Sequence, residues 1–402
     1  MLALTTTYPR WTGDTEPAFV QNLAQGLAAA GCEVRVLTPS CPGALGYERE
    51  GAVEVCRYRY WLAGRETLTG AGGIVSRLRR HPLSGLLVPP LLLATLLAAW
   101  RHAASQRATV VHAHWLIPQG VLAIVAAKLS GRRPRVLATA HGGDVFALRG
   151  RLFDRVRRWV VAHADHVTAV SRYVREELIR QGADGSRISV ASMGVDLRDR
   201  FRPAAGVARD PGRVIFVGRL VEKKGVAVLV EAMDRLRASR ADAHLIVVGD
   251  GPERSMLERL VAERGLAGGV SFLGARPQAE LPALYSSAAV AVVPSIVDAL
   301  GDQEGLGLVS IEAMGCGCAV VASDLPAIRD AVSDGVNGLL VPPRDPDALA
   351  TAIAALLGDG GLRERVSGEH VRLALVERFD WQNVARHYAA VIRELDGGTG
   401  QA

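Results

Sequence analysis

The residues best suited to chemistry concentrate in Asp302–Glu312, which reads DQEGLGLVSIE. Glu304 and Glu312 lie eight positions apart there, and Gly305 and Gly307 lie between them. The glycines can bring backbone N–H groups close to an anion, and a helix that begins here favours negative charge at its start. We expect one carboxylate to face a sugar and the other a ribose diol, with phosphates at the amides between them. An ordinary helix capped by an acidic residue is the alternative.

A second group of charges follows the strand predicted at Val214–Val217. Arg219 and Lys224 lie five positions apart in the turn after that strand. They suit a diphosphate, because arginine binds phosphate oxygens with two parallel hydrogen bonds and lysine acts as a point charge. A solvated run of charges is the alternative. The strand-to-turn segment Val247–Pro252, which contains Gly249, is typical of any βα connection.

Histidine and aspartate also follow a predicted strand in the first half of the chain. The strand Val136–Ala140 leads to His141 and then to a glycine-rich turn that contains Asp144. A histidine at the end of a strand is most often structural, so these residues alone leave its role open.

Three other patterns resemble metal or redox motifs. The D-x-D sequence that starts at Asp345 precedes a predicted helix, so helix capping explains it better than metal binding. His112 and His114 face one side of a strand, but no third ligand is evident. Cys316 and Cys318 lack the two-residue spacer of a redox or zinc pair. We therefore expect no metal.

Length and composition indicate a large α/β protein. The 402 residues are 49% hydrophobic and 22% charged, so the chain can bury a sizeable core and is not disordered. Short apolar runs alternate with amphipathic stretches, which predicts βαβ units and mainly parallel sheets. The segment Phe201–Arg213 contains two prolines and two glycines and predicts a linker between two Rossmann-like halves. Ligands usually bind in the cleft between such halves.

Charge is distributed unevenly between these halves. Residues 1–205 carry 27 Lys+Arg and 15 Asp+Glu, a net of +12, whereas residues 206–402 carry 20 and 26, a net of −6. An anionic membrane surface, a phosphorylated lipid or nucleic acid would each suit the basic half. The five cysteines do not indicate a disulfide framework, and the chain does not open on a secretory signal pattern. We expect a cytoplasmic protein.

The apolar segment Leu86–Trp100 contains 15 uncharged residues. It is shorter than the ~20 residues that a spanning helix needs, and it contains Pro89 and Pro90. A buried core helix and a helix that lies in the membrane interface are the two remaining interpretations. The cations that bracket the segment are Arg77, Arg79, Arg80 and Arg101.

Four segments together resemble glycosyltransferase family 4, whose members are retaining enzymes of the GT-B fold. They are VGRLVEKKG, VVGDGPE, FLG and EGLGLVSIEAMGCG, and the similarity is most specific over Val214–Ser323. The resemblance implies a Rossmann-like acceptor domain over residues 1–203 and a donor domain over residues 204–381. It also implies that a last helix, at about 382–402, crosses back to the first domain.

The resemblance assigns roles to the residues introduced above. It makes Arg219 and Lys224 a diphosphate clamp, and it puts Glu304 at the donor sugar and Glu312 at the ribose. His141 is expected beside the reacting bond, so that the expected catalytic residues are His141, Glu304, Arg219 and Lys224. Asp144 is expected on the acceptor side. The expected donor-binding residues are Gly13, Arg219, Lys224, Gly249, Arg276, Glu304, Gly305, Leu306, Gly307, Leu308, Val309 and Glu312.

The expected activity is retaining, metal-independent transfer of a hexose from a nucleoside diphosphate sugar to an acceptor hydroxyl, in glycan or glycoconjugate biosynthesis. The expected acceptor is a glycan or a lipid-linked molecule, with peripheral binding to an anionic membrane at the inner face of the plasma membrane, no cofactor and no nucleic acid. A GT-B sugar-nucleotide epimerase, a phosphorylase and a non-catalytic nucleotide-sugar-binding protein at a membrane surface are the alternatives.

Overall fold

The chain forms two compact units in the computed structural model. Unit 1 comprises Met1–Gly194 together with Trp381–Ala402, and unit 2 comprises Val195–Asp380. The chain therefore leaves unit 1 after Gly194 and returns to it at Trp381. The structure describes residues 1–11, 13–14, 16–69, 74, 77–78, 81–105 and 108–397.

Unit 1 is built on one eight-stranded sheet. Its strands are β1 (Leu2–Leu4), β2 (Val34–Pro39), β3 (Tyr47–Glu50), β4 (Val53–Tyr58), β5 (Val110–His114), β6 (Arg135–Ala140), β7 (His166–Ala169) and β8 (Ile188–Val190). The order is β3-β4-β2-β1-β5-β6-β7-β8, and all neighbours are parallel except β3 and β4. The central strands β1 and β5 are buried along their whole length, as expected where helices cover both faces of a parallel sheet.

Unit 2 repeats the arrangement with six strands. They are β9 (Asp210–Val217), β10 (His244–Val248), β11 (Val270–Gly274), β12 (Ala288–Val293), β13 (Ala319–Ser323) and β14 (Leu339–Val341). The order is β11-β10-β9-β12-β13-β14, and every pair is parallel. The order reverses next to β9, because β10 and β12 lie on its two sides, and such a reversal is where α/β sheets bind ligands.

Helices connect the strands in both units. In the part of unit 1 that the structure describes before Gly194 they are α1 (Phe19–Ala29), α2 (Val88–Ser105), α3 (Val121–Leu129), α4 (Gly143–Phe146), α5 (Arg151–His163) and α6 (Arg172–Arg180). Unit 2 contains α7 (Val226–Ser239), α8 (Arg254–Glu263), α9 (Leu281–Ser287), α10 (Leu308–Gly315), α11 (Pro346–Gly358), α12 (Gly360–Ser367) and α13 (Glu369–Phe379). The last helix, α14 (Trp381–Leu395), belongs to unit 1.

The last helix packs on the first one. A Cβ at Gly26 of α1 would lie only 2.7 Å from the Cβ of Ala385, so glycine lets the two helices approach closely. Arg393 of α14 also donates to the carbonyl oxygen of Ala30 over 2.7 Å. The expectation of an α/β fold with two parallel sheets and a last helix that returns to the first domain is confirmed.

The predicted linker at Phe201–Arg213 is wrong, because that segment lies inside unit 2. Phe201 is buried against Tyr285 of α9, with ring centroids 6.4 Å apart. The last four residues of the segment already form the start of β9. The structure divides the chain between Gly194 and Val195 and again between Asp380 and Trp381.

The apolar segment forms a helix with one buried face and one exposed face. In α2 the residues Leu91, Thr95, Ala99 and Ala103 are buried. Among the described residues, Pro82–Ser105 is the one helix long and apolar enough to cross a membrane, and 17% of its most apolar window is buried. Packing on the core therefore explains one face of this apolar segment and leaves the other face exposed. Arg79 and Arg80, which were expected to bracket it, lie outside the described residues.

Candidate active site

The turns at the carboxyl ends of β9 and β10 pack backbone against backbone. A Cβ at Gly249 would lie 1.8 Å from the carbonyl oxygen of Gly218, and a Cβ at Gly251 would lie 2.3 Å from that of Leu220. The amide of Leu220 donates to the carbonyl of Asp250 over 3.0 Å. Only glycine fits at such distances, so the turn that carries Arg219 is fixed against its neighbour. Arg219 itself is exposed at this edge of the sheet.

Lys224 and Glu304 form an ion pair in unit 2. The Nζ of Lys224 lies 2.7 Å from Oε1 of Glu304, and both side chains are mostly buried. Burial raises the pKa of Glu304, but the ammonium groups of Lys224 and Lys223 outweigh it, so that the pKa is lowered overall. Glu304 is therefore a carboxylate at neutral pH.

Glu312 lies in the second turn of α10 and has a different environment. The hydroxyl of Tyr285 donates to Oε2 of Glu312 over 3.3 Å. Burial raises the pKa of Glu312 to about 7, against the opposing effects of Tyr285, Lys224 and Arg200. The side chain can thus exchange a proton near neutral pH, and in its ionised form it can accept hydrogen bonds from two hydroxyls.

Gly307 sets the start of α10. Its φ of +75° is left-handed, and the helix begins directly after it at Leu308. The first N–H groups of a helix lack partners within the helix, so the segment Gly305–Val309 presents amides suited to an anion. Arg276, in the loop after β11, is exposed and forms an ion pair with Glu280 at 3.6 Å.

In unit 1, His141 lies at the end of β6 among other aromatic rings. Nδ1 of His114 and Nε2 of His141 are 3.1 Å apart, so one ring donates to the other. The rings of Trp115 and Phe19 lie 5.0 and 5.2 Å from that of His141. Burial lowers the pKa of His141 to about 3, helped by His112, so the imidazole is neutral at physiological pH. Its Nδ1 is the ring nitrogen that this contact does not use.

Asp144 fixes the backbone around His141. Its Oδ1 accepts from the amide of His141 over 3.1 Å, and its Oδ2 accepts from that of Leu116 over 2.6 Å. Burial raises the pKa of Asp144 to about 6, although these hydrogen bonds oppose the change. The buried guanidinium of Arg157 donates to the carbonyls of Asp144 and Leu148, each over 2.9 Å. Contact between Asp144 and an acceptor stays a prediction.

The structure brings the expected residues of each unit to strand ends, but direct contact is limited to some of them. Lys224 and Glu304 touch, whereas Glu312 is bonded to Tyr285. Gly13, with φ of +81°, lies in the loop after β1 in unit 1. Sequence reasoning missed several partners of these residues, namely Lys223, Asp302, Tyr285, His114 and Arg157. The adjacency of Lys223 to Lys224 was a signal for one of them, and Asp302 and His114 appeared in the sequence patterns without these contacts being assigned.

The motif-like patterns have structural explanations. Oδ1 of Asp345 accepts from the amides of Asp347 and Ala348, so the capping interpretation is confirmed. Cys316 and Cys318 are buried free thiols. Within the described part of the chain, no group of three or more His, Cys, Asp or Glu side chains could hold a metal ion.

Comparisons with known proteins agree with this architecture. A family model described as glycosyl transferases group 1 matches residues 198–369, and one described as glycosyltransferase family 4 matches residues 18–199. The GDP-mannose-dependent alpha-(1-6)-phosphatidylinositol monomannoside mannosyltransferase of Mycolicibacterium smegmatis is 30% identical over 361 residues, which is 85% of this chain and 89% of that protein.

Two solved structures share the fold over nearly the whole chain. Sucrose-phosphate synthase from Thermosynechococcus elongatus superposes with a TM-score of 0.80 and 25% identity, covering 98% of this chain and 99% of that one. Anabaena HepE, solved in complex with UDP-glucose, gives a TM-score of 0.72 at 20% identity, with the same coverage.

Two parallel Rossmann-like sheets with charged residues at their strand ends define a glycosyltransferase of the GT-B fold. The chain belongs to glycosyltransferase family 4.

The buried histidines predict how the stability of unit 1 depends on pH. Burial lowers the pKa of His112 to about 3, whereas a histidine in the unfolded chain titrates near 6.5. The unfolded state therefore binds more protons between these values, so the free energy of unfolding falls as pH falls below 6.5. His112 alone should remove ~1.4 kcal/mol between pH 7.5 and pH 5.5.

Urea unfolding of the wild type and of His112→Gln at these two pH values measures this effect. The glutamine amide can replace Nε2 of His112 as a partner for Oγ1 of Thr139, which lies 2.7 Å away, but it does not titrate. All six tryptophans lie in unit 1, so their fluorescence follows that unit alone. The free energy of unfolding should fall less between pH 7.5 and pH 5.5 in the variant than in the wild type, by about the contribution assigned to His112. An equal fall in both proteins would show that His112 does not make this contribution.

Proposed function

We propose that the protein transfers a hexose from a nucleoside diphosphate sugar to an acceptor hydroxyl, with retention of configuration at the sugar. The observation that carries this proposal is the set of charges around the first turn of α10. There Glu304, the partner of Lys224, lies four residues before the first residue of the helix, and Glu312 lies within the helix. The mycolicibacterial relative, which is named for a GDP-mannose donor, supports a nucleotide sugar as substrate.

Each charged group has a separate task in this proposal. Arg219, Lys224 and the amides at the start of α10 bind the diphosphate. Glu304 accepts hydrogen bonds from hydroxyls of the transferred sugar, and Glu312 accepts them from the ribose. This division of roles agrees with the different partners of the two carboxylates, which are Lys224 and Tyr285.

The same division favours a reaction without a carboxylate nucleophile. A double displacement needs two carboxyl groups ~5–5.5 Å apart on either side of one bond. Glu304 is instead paired with a lysine that is assigned to the diphosphate. We infer that the acceptor hydroxyl attacks on the face from which the diphosphate leaves, and that its proton passes to a departing phosphate oxygen. Arg219, Lys224 and the helix start stabilise the charge that grows there, so that fixed cations supply the neutralisation a metal ion would otherwise give.

His141 is assigned to the region of the reacting bond. Because its pKa is lowered by burial, its imidazole is neutral and serves as a hydrogen-bond partner rather than as a cation. The contact with His114 uses Nε2 of His141, so Nδ1 would bind a hydroxyl of the sugar near the reacting bond. Its role is therefore to orient the sugar.

Removal of either cation of the clamp should weaken binding of the diphosphate. Arg219→Ala and Lys224→Ala should each cost ~1.5–3 kcal/mol of binding free energy, the range for hydrogen bonds to charged groups. Calorimetric titration with GDP and UDP measures the loss. Arg365→Ala, which removes an exposed arginine from α12, is the matched control. Unchanged affinity in both clamp variants would refute the clamp.

Loss of His141 should affect turnover more than donor binding. In His141→Ala the donor should still bind, because the diphosphate clamp is intact, whereas kcat should fall by ~100-fold or more. Release of nucleoside diphosphate from GDP-mannose and UDP-glucose, with and without acceptor, is the assay. A rise in the Michaelis constant alone would contradict this role. Sugar epimerisation without acceptor, or a requirement for inorganic phosphate, would replace the transferase proposal.

A lipid-linked acceptor at an anionic membrane is the second part of the proposal. The mycolicibacterial relative is named for a phosphatidylinositol mannoside acceptor, which supports a lipid. Between Glu66 and Asp144 the sequence contains no acidic residue. The nine cations of this interval are Arg77, Arg79, Arg80, Arg101, Arg107, Lys128, Arg132, Arg133 and Arg135. Such a segment favours an anionic surface.

The exposed face of α2 supports the same partner. An apolar stripe with helical spacing, formed by Leu93, Leu97 and Trp100, faces solvent opposite the buried face. Leu86, which precedes the helix, is also exposed. The indole N–H of Trp100 donates to the carbonyl of Leu129 over 3.2 Å, so this stripe adjoins the end of α3. Exposed cations lie at that end, namely Arg101, Lys128, Arg132 and Arg133. An apolar face with cations beside it suits the interface of an anionic bilayer.

Vesicle co-sedimentation tests this surface. The wild type should bind anionic vesicles more tightly than neutral ones, because each cation near an anionic surface contributes ~1 kcal/mol. Leu93→Ser should weaken binding, since it removes an apolar side chain that is 58% exposed in the stripe. Leu373→Ser changes a leucine that is 54% exposed on α13 and should have no effect. Equal binding to neutral and anionic vesicles, or none at physiological salt, would refute the membrane proposal.

A further inference from the structure

The turn Glu222–Lys224 is attached to the loop that leads into α10. In this loop, Pro294–Glu304, the amide of Ile296 donates to the carbonyl of Lys223 over 2.8 Å, and that of Ala299 donates to Oε1 of Glu222 over 3.1 Å. The turn ends on Gly225, whose φ is +65° and whose Cβ would lie 1.9 Å from the carbonyl oxygen of Pro294. Only glycine permits this approach, so turn and loop form one assembly.

Lys223 is not part of the proposed diphosphate clamp, and it makes a separate ionic contact within this assembly. Its Nζ lies 3.1 Å from Oδ2 of Asp302 and 3.5 Å from the carbonyl oxygen of Gln303. Its side chain is 25% exposed and that of Asp302 is 16% exposed. The pair therefore anchors the two residues that immediately precede Glu304.

The loop is braced on its other side as well. Oδ1 of Asp298 accepts from the amides of Leu300 and Asp302, over 2.9 and 2.8 Å. The guanidinium of Arg344 donates to the carbonyl of Val297 over 2.7 Å. These bonds fix the loop up to Asp302, which is also the residue that Lys223 binds.

In the proposed reaction Lys224 has two anionic partners, the diphosphate and Glu304, and they compete for its ammonium group. This inference rests on the proposed function, in which Lys224 binds the diphosphate and Glu304 binds the sugar. When the donor arrives, the ammonium group of Lys224 must be shared with phosphate oxygens. Glu304 then loses part of its ion pair with Lys224. This happens when its carboxylate must be in place to bind the sugar.

We propose that Lys223 is a positioning residue for the donor sugar, and that its ion pair with Asp302 holds Glu304 in place when Lys224 turns to the diphosphate. Lys223 touches neither the sugar nor the phosphates in this arrangement. It acts through Asp302 and the backbone of Gln303.

Binding of ligands with and without the sugar separates this role from a direct one. Lys223→Met should weaken binding of the nucleotide sugar, GDP-mannose or UDP-glucose, by ~5–10-fold, which lies within the range of interaction energies between coupled neighbours. The same variant should bind GDP and UDP within ~2-fold of the wild type, because no sugar is present for Glu304 to meet. Lys224→Ala, by contrast, should weaken binding of both kinds of ligand.

The partner variants test the pair itself. Asp302→Asn should reproduce the effect of Lys223→Met, and the double variant should lose no more than either single one, because both remove the same interaction. Lys223→Arg should retain most of the affinity for the nucleotide sugar, since it keeps the charge. Circular dichroism establishes that each variant is folded, and if Lys223→Met does not fold, Asp302→Asn and Lys223→Arg carry the test.

Several outcomes would overturn the inference. Equal loss of affinity for GDP and GDP-mannose in Lys223→Met would make Lys223 a phosphate ligand. Full affinity in Asp302→Asn, or additive losses in the double variant, would remove Asp302 as its partner. If the wild type bound the nucleoside diphosphates and nucleotide sugars and Lys223→Met changed neither, this inference alone would fall. If the wild type bound none of them, the proposed function would fall with it.

Discussion

The carboxylate of Glu304 is largely shielded from water, and a shielded carboxylate stays ionised only with a positive charge close by. Lys224 supplies that charge in contact, and Lys223 adds to it from the next position along the chain. Both lysines reach the loop before α10 because Gly225 lets their turn approach the carbonyl of Pro294. The local arrangement of unit 2 therefore depends on one electrostatic requirement and on one residue without a side chain.

The topology of the sheet explains why the site lies at the carboxyl ends of the strands. Parallel neighbours end at one edge of a sheet, so the turns after β9 and β10 and the loop after β12 come together there. Close glycine contacts then reduce the distance between these turns. In unit 1 the end of β6 carries a neutral side chain instead of an ion pair. His141 is neutral. The carboxylate of Asp144 accepts from the amide of His141, and the guanidinium of Arg157 donates to the carbonyl of Asp144, so the backbone around the imidazole is held in place.

Much of this could be predicted from the sequence, because the signals are local. The apolar runs Val136–Ala140 and Val214–Val217 correctly predict β6 and the last part of β9. Charged residues beside glycines identified Arg219, Lys224 and Glu304. Strand β3 carries no such signal, because its sequence YERE contains no apolar run. The linker at Phe201–Arg213 was wrong because composition does not reveal that Phe201 is buried against Tyr285.

Contacts between distant residues could not be predicted in the same way. The pairing of β5 with β6 puts His114 opposite Thr139, two residues before His141, and this register brings the two imidazoles together. The pair of Lys223 with Asp302 likewise depends on the path of an irregular loop. Such contacts follow from tertiary structure, and no spacing in the sequence encodes them.

The return of the chain to unit 1 at Trp381 has a consequence for the order of folding during synthesis. Val195–Asp380 is continuous and can fold as it emerges from the ribosome, whereas α1 waits for α14, its packing partner. At ~5–20 residues per second, that wait lasts roughly 20–70 s. During it, the surface of α1 around Gly26 is open to solvent and to chaperones. Translation that stopped short of α14 would leave unit 2 folded and unit 1 unfinished.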